Sequence, residues 1–208
     1  MTLTITIIIT IITVITSLLA LSNEDLRGKL IFNPYIIHKK HEWWRFFTSG
    51  FIHADFMHLA INMLVFYSFG NAVESYFAEI YGAKAVIYFI FLYLGGLLIS
   101  SAPTYAKNKN NYIYNSLGAS GAVAAILFAA ILFNPWNKIY IWGVIGIPGI
   151  ILGPLYLFYE YRSSRKGGDN INHDAHFWGA VFGLVFPILL KPSLGLDFIS
   201  NLVGGPGQ

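Results

Sequence analysis

The first 22 residues carry no charged side chain, and the first one met along the chain is Glu24. A helix crosses the hydrocarbon core of a bilayer with about 20 apolar residues, so this run is long enough to span. The alternation in Thr4-Ile5-Thr6-Ile7 would suit a strand. An isolated strand in lipid leaves its backbone polar groups unpaired, which decides for helix. No positive charge precedes the run, as it would in a cleaved signal peptide, so an uncleaved first span is expected. Five more apolar segments follow, and the spans are predicted at about 2–22, 57–77, 83–101, 116–133, 139–160 and 174–191. Only 11% of the residues are charged, under half the share of roughly 25% usual in soluble domains. The predicted fold class is therefore an all-α membrane protein, a six-transmembrane-helix bundle, in a multi-pass protein of the cell membrane.

The connections differ in character. The first, residues 23–56, is rich in charge and places Trp43 and Trp44 next to Arg45, a pattern suited to the headgroup region. A polar loop is expected at 102–115 and a tight turn at 134–138. Pro148, Gly149 and Pro154 predict a kinked fifth span. The tail after Pro192 is expected to be poorly ordered. The chain has no cysteine, which excludes disulfides, thiolate metal sites and a cysteine nucleophile. A net charge of +3 does not suggest nucleic acid as a partner.

Span parity adds geometry. Spans two, four and six enter the membrane from one side. His53 and His58 lie at the start of span two, Ser120 near the start of span four, and His173 and His176 at the opening of span six. These residues are therefore expected at similar depth on one face.

Gly118-Ala119-Ser120-Gly121 sets a serine among small residues. Such a stretch can simply let two membrane helices approach closely. It can also present a nucleophile with room for a substrate backbone, and a serine hydroxyl then needs an adjacent base. His176 is the candidate base, because an ionisable group inside a span is costly and marks function by default. Gly179 and Gly183 follow it on nearly one helical face and would let span six press on span four; taken alone they read as a packing motif. His58 and Asn62 are four apart, so they share a helical face. Two donors aimed beside a serine can form an oxyanion hole, although interhelical polar contacts would explain Asn62 by itself.

The run from Trp43-Trp44-Arg45-Phe46 to His53 and on through His58-Leu59-Ala60-Ile61-Asn62 resembles the rhomboid intramembrane proteases. So do Gly70 with Glu74, Gly118-Ala119-Ser120-Gly121, and Ala175-His176-Phe177-Trp178-Gly179 with Gly183. The resemblance implies a single rhomboid-like membrane domain over residues 1–208, with a water-filled cavity opening to the outer face. It implies an intramembrane serine endopeptidase with Ser120 as nucleophile and His176 as general base. His58, Asn62 and the Ser120 backbone amide would be oxyanion donors. Arg45 and His53 would brace the first loop, and Glu74 would fix the inner end of span two. Gly118, Gly121, Gly179 and Gly183 would be structural. The implied partners are transmembrane protein substrates within the lipid bilayer, with no cofactor and no metal. One departure is Ala124, which stands where the family often has an aromatic residue that stacks on the histidine. A second is charge: the implied topology puts ten Lys/Arg outside and three inside, against the positive-inside tendency.

Two other readings compete. One is a rhomboid-like pseudoprotease that binds membrane helices without cutting them; the presence of serine, histidine and both oxyanion donors disfavours it. The other is a metal-dependent protease or transporter using His53, His58, His173 and His176. His173 and His176 do stand three apart, but no His-Glu-x-x-His stretch occurs.

Overall fold

A computed structural model describes residues 4–141, 143–169 and 171–205. Helices α1 (Ile5–Ser22), α5 (Phe56–Tyr81), α6 (Ala85–Asn108), α7 (Ser120–Phe133), α8 (Gly149–Lys166) and α9 (His173–Leu190) correspond to the six predicted spans. The first connection folds into α2 (Glu24–Leu30), α3 (Pro34–Lys40) and α4 (Arg45–Thr48). By length and apolarity α1, the α5–α6 stretch and α9 can each cross a membrane, and the whole is a helical membrane bundle.

Helix α7 has only 14 residues, about 21 Å of rise, too short to cross alone. It is tolerated because it is the centre of the bundle, where nearly every residue from Gly121 to Leu132 is buried among α5, α6 and α9. Non-helical backbone at membrane depth is allowed where protein surrounds it, and the extended segment before α7 meets that condition. Small residues set the approach of the neighbours. A Cβ on Gly179 would overlap the Gly121 carbonyl, and one on Gly183 would overlap the Ala125 carbonyl, so α9 lies directly on the backbone of α7. On the opposite side Gly96 of α6 faces Ala122.

The outer elements are fixed by polar groups. Four N–H groups at a helix start lack helical partners. At α1 the Glu74 carboxylate of α5 accepts from Ile5 N–H (2.8 Å), Thr6 N–H (3.0 Å) and the Thr6 hydroxyl (2.7 Å). A carboxylate at a helix N-terminus also complements the helix dipole. Arg45 is buried, and its Nη1 donates to the Gly28 and Ile31 carbonyls, both at 2.8 Å, while Glu42 pairs with its guanidinium. It thereby closes α2 onto α4. Asn33, Asp55 and Asn172 cap α3, α5 and α9.

Two expectations are corrected. Residues 139–148 were expected to open the fifth span. Instead β1 (Lys138–Ile141) and β2 (Ile145–Pro148) form an antiparallel hairpin with Lys138 opposite Pro148 and Ile141 opposite Ile145. Branched residues alternate through both strands, and proline disfavours helix for the residue before it. Helix α8 begins only at Gly149, where the N–H groups of Gly149 and Ile150 donate to the Asn137 and Pro135 carbonyls. After Pro192, residues Ser193–Gly204 form a helix, α10, with Leu194 buried and Leu196, Ile199 and Val203 exposed. In addition, α6 continues helically to Asn108, through much of the predicted polar loop.

The segment leading into α7 is held by hydrogen bonds to the first connection. Phe32 and Ser116 exchange backbone hydrogen bonds, and Gly118 N–H donates to the Ser49 carbonyl at 2.9 Å. Ala119 N–H donates to His53 Nε2 at 3.3 Å. An amide can only donate there, so Nε2 is the acceptor and the ring proton sits on Nδ1. That proton points to Ser17 Oγ (2.9 Å), whose own hydrogen goes to the Phe51 carbonyl (2.9 Å). Burial, and secondarily the neighbouring His58, push His53 down to about 3, so the ring is neutral at any working pH.

Two outcomes follow from this packing. Gly183→Val should lower the thermal midpoint of the purified protein in detergent and broaden its elution profile, because the new side chain meets α7 backbone that cannot yield; overpacking of this kind costs about 1–3 kcal/mol or more. Gly195→Ala is the control, since its Cβ would reach ordinary contact with Ile188 at 3.7 Å. For His53 the depressed value means that the unfolded chain binds the extra proton between about pH 6.5 and 3. Stability contributed by the neutral ring is therefore present near neutrality and lost as pH falls through that window. His53→Gln should be less stable than wild type at pH 7 and lose less on acidification to pH 4, in a comparison of midpoints; parallel slopes would contradict the assignment.

Candidate active site

Ser120 is the first residue of α7, and among the described residues no side chain caps that helix start. The first-turn N–H groups of α7 are thus free of a capping acceptor, and the positive end of the helix dipole lies beside the serine hydroxyl. Gly118 makes this entry possible. Its φ of +116° is a conformation that L side chains rarely adopt, and a Cβ there would strike the His58 ring.

The His176 ring meets the serine from α9, with Nε2 2.8 Å from Ser120 Oγ. His173 and His176 are three apart in the first turn of α9, so both rings face the same side. Asn172 Oδ1 sets that turn by accepting from Ala175 N–H at 3.2 Å and from the Thr104 hydroxyl of α6 at 3.0 Å. The other nitrogen of His176, Nδ1, lies 3.1 Å from Glu160 Oε1. Glu160 comes from α8, is 3% exposed, and holds its second oxygen 2.5 Å from His173 Nδ1. His173 Nε2 in turn lies 3.1 Å from Asp169 Oδ2.

A cavity of about 990 Å³ opens over these groups, lined by His58, Asn62, Asn115, Ser120, Tyr156 and His176 among others. His58 Nδ1 faces the Ala54 amide at 3.5 Å, which leaves Nε2 as the nitrogen that can carry a proton toward Gly118 and the serine. The Asn62 amide donates to the His58 carbonyl at 2.9 Å. An NH₂ group has two donors, so one remains for the cavity.

Parity placed Ser120, His176 and His58 together and helical spacing put Asn62 on the face of His58; the structure lines one cavity with all four. Gly118 shapes the entry to the serine, while Gly121, Gly179 and Gly183 form the α7–α9 contact. His53 and Arg45 sit behind the site in the first connection, and Glu74 acts at the N-terminus of α1. Glu160 was missed. Its signal was a carboxylate at the last position of the predicted span 139–160, just before a charged stretch.

Among the described residues, the four histidines considered for a metal do not come together as one ligand set. Both His53 nitrogens are engaged as described above, and its ring packs edge-on against His58 at 4.9 Å between centroids. Glu160, His173 and His176 offer an oxygen and two nitrogens within 4.8 Å of one another, and the same carboxylate hydrogen-bonds Nδ1 of both rings.

The family model described as the rhomboid domain matches residues 40–193. The chain is 29% identical over 153 residues to RHOMBOID-like protein 12, mitochondrial, of Arabidopsis thaliana, covering 66% of this chain and 44% of that protein. It is 30% identical over 142 residues to Rhomboid protease GluP of Bacillus subtilis, covering 68% and 25% respectively. It is 25% identical over 179 residues to Rhomboid protease AarA of Providencia stuartii, covering 75% and 59%. In each case the chain spans less than two thirds of the relative's length. A domain match over most of the chain, together with the helical membrane bundle, makes this protein a member of the rhomboid family.

Proposed function

We propose that this rhomboid is an intramembrane serine endopeptidase that hydrolyses peptide bonds in or near the transmembrane segments of single-span membrane proteins of the cell membrane. The observation that carries the proposal is the 2.8 Å approach of His176 Nε2 to Ser120 Oγ inside a cavity. It is supported by donors from three sources around the same serine. The domain match and the protease names of two relatives support the reaction class.

In this reading His176 Nε2 takes the proton of the Ser120 hydroxyl as Oγ attacks the substrate carbonyl carbon. The carbonyl π pair moves onto oxygen, and the anion is met by the Ser120 amide, His58 Nε2–H and the free Asn62 N–H. The pair returns, the C–N bond breaks, and the proton on His176 passes to the leaving amine. The Ser120 ester is then opened by water, whose proton goes to His176 and back to Ser120 Oγ. Helix termini and amides of this kind are effective because they are already oriented before charge develops.

Purified protein in proteoliposomes, incubated with a model single-span substrate, should cut it, and Ser120→Ala should reduce cutting to background without lowering the thermal midpoint. His176→Ala should be comparably inactive, and the double variant no worse than either, because residues acting as one unit lose activity non-additively. Binding without cutting in the wild type would identify a pseudoprotease instead.

Asn62→Ala and His58→Ala should each lower kcat, by on the order of 10²–10³ where no water compensates, with smaller effects on KM. Changes confined to KM would reassign both residues to substrate contact.

A further inference from the structure

Among the described residues Glu160 is the one buried carboxylate near the reacting pair, and the chemistry proposed above gives it no task. We infer that Glu160 is a positioning residue for that reaction: it holds the His176 ring in the tautomer and orientation that present an unprotonated Nε2 to Ser120.

The argument begins with donors and acceptors. For Ser120 to lose its proton to His176, Nε2 must be an acceptor, so in the neutral ring the proton sits on Nδ1. The atom facing Nδ1 at 3.1 Å is Glu160 Oε1. An ionised carboxylate offers only acceptors, so it favours the tautomer with Nδ1–H over the one that would turn a hydrogen toward the serine. No aromatic face from α7 performs this service. Ala124, one turn beyond Ser120 and also lining the cavity, offers a methyl group. The ring of His173 meets that of His176 only edge-on at 6.2 Å.

The carboxylate itself is held. Glu160 Oε2 faces His173 Nδ1, and His173 Nε2 faces Asp169 Oδ2. With a carboxylate at each nitrogen, the His173 ring satisfies both only by donating from both, as the imidazolium. A buried charge is costly when unpaired. Here one cation stands between two carboxylates, so Glu160 can remain ionised at 3% exposure. The groups facing the His176 ring are then Ser120 from α7, Glu160 from α8, His173 from its own helix and His58 across the cavity from α5. When Ser120 gives its proton to Nε2, the positive charge created on the ring lies against the Glu160 carboxylate, which has no reorientation to make. A base carried by α9 is thus oriented by α8, and the pair is complete only when both helices are in place around α7.

The inference rests on the protease reading, so the experiment has two arms. In the first, the full chain in proteoliposomes is compared with Glu160→Gln, Glu160→Asp and Glu160→Ala on the model single-span substrate. Glutamine keeps the size but can donate its N–H to Nδ1, which favours the wrong tautomer. Glu160→Gln should lower kcat on the order of 10²-fold or more, as loss of an orienting carboxylate does in other serine hydrolases, with KM within about two-fold. Glu160→Asp should recover part of the loss, whereas Glu160→Ala should not. In the second arm, nitrogen NMR of the His176 ring reads the tautomer directly and needs no substrate. Wild type should show Nδ1 protonated and Nε2 bare, and Glu160→Gln should shift the population toward Nε2–H. Wild-type kcat in Glu160→Gln, an unchanged tautomer in that variant, or a wild-type ring protonated at Nε2 would each overturn the inference; the last holds even if no variant folds. A wild-type chain that cuts nothing would count against the protease reading, and the NMR arm would still decide the role of Glu160.

Discussion

Helices α7 and α9 meet backbone to backbone, because Gly179 lies against the Gly121 carbonyl and Gly183 against that of Ala125. Lipid supplies no hydrophobic drive for helices to associate, so close van der Waals approach has to do so. The Ser120–His176 hydrogen bond sits at the end of this contact. A methyl group on either glycine would overlap the α7 backbone, so α9 could not keep this approach. The position of the putting together of serine and histidine is thus set by the absence of side chains below them, and the chemistry inherits its geometry from packing.

A second constraint acts on charge. Several strongly polar side chains are buried or half-buried, and each is matched to a fixed partner. Glu74 takes the open amides of α1, Arg45 takes carbonyls of the first connection, and His53 joins Ser17 to the Ala119 amide. Glu160 joins two histidines. In a medium with little water each such group is costly alone, so each ties together elements that apolar packing would leave free to slide. The first connection, charged and tryptophan-rich, becomes in this way the support on which the entry to α7 rests.

Much of this was legible along the chain. The six apolar runs gave the helices, and parity alone gathered Ser120, His58 and His176, since alternate spans must open on the same side. The failures have physical causes. At 139–148 a hydrophobic run of branched residues fits a strand as well as a helix, and only the pairing of Lys138–Ile141 with Ile145–Pro148 decides between them. The tail after Pro192 was expected to be poorly ordered, but Leu194 is buried on the bundle and α10 forms there. Glu160 escaped because a carboxylate at the edge of a span looks the same whether it turns to water or inward.

The sequence by itself determined that this protein lies in a membrane, that six long apolar segments build its bundle, and that the serine and the histidines share one face. Those properties depend on hydropathy and on counting, which are local and additive. Only the tertiary structure decided which atoms touch. The His53 tautomer, the uncapped start of α7 and the link from Ser120 through His176 to Glu160 depend on distances between residues 16 to 66 positions apart. Such distances are set when α6, α7, α8 and α9 pack at once, and no segment of the chain contains them.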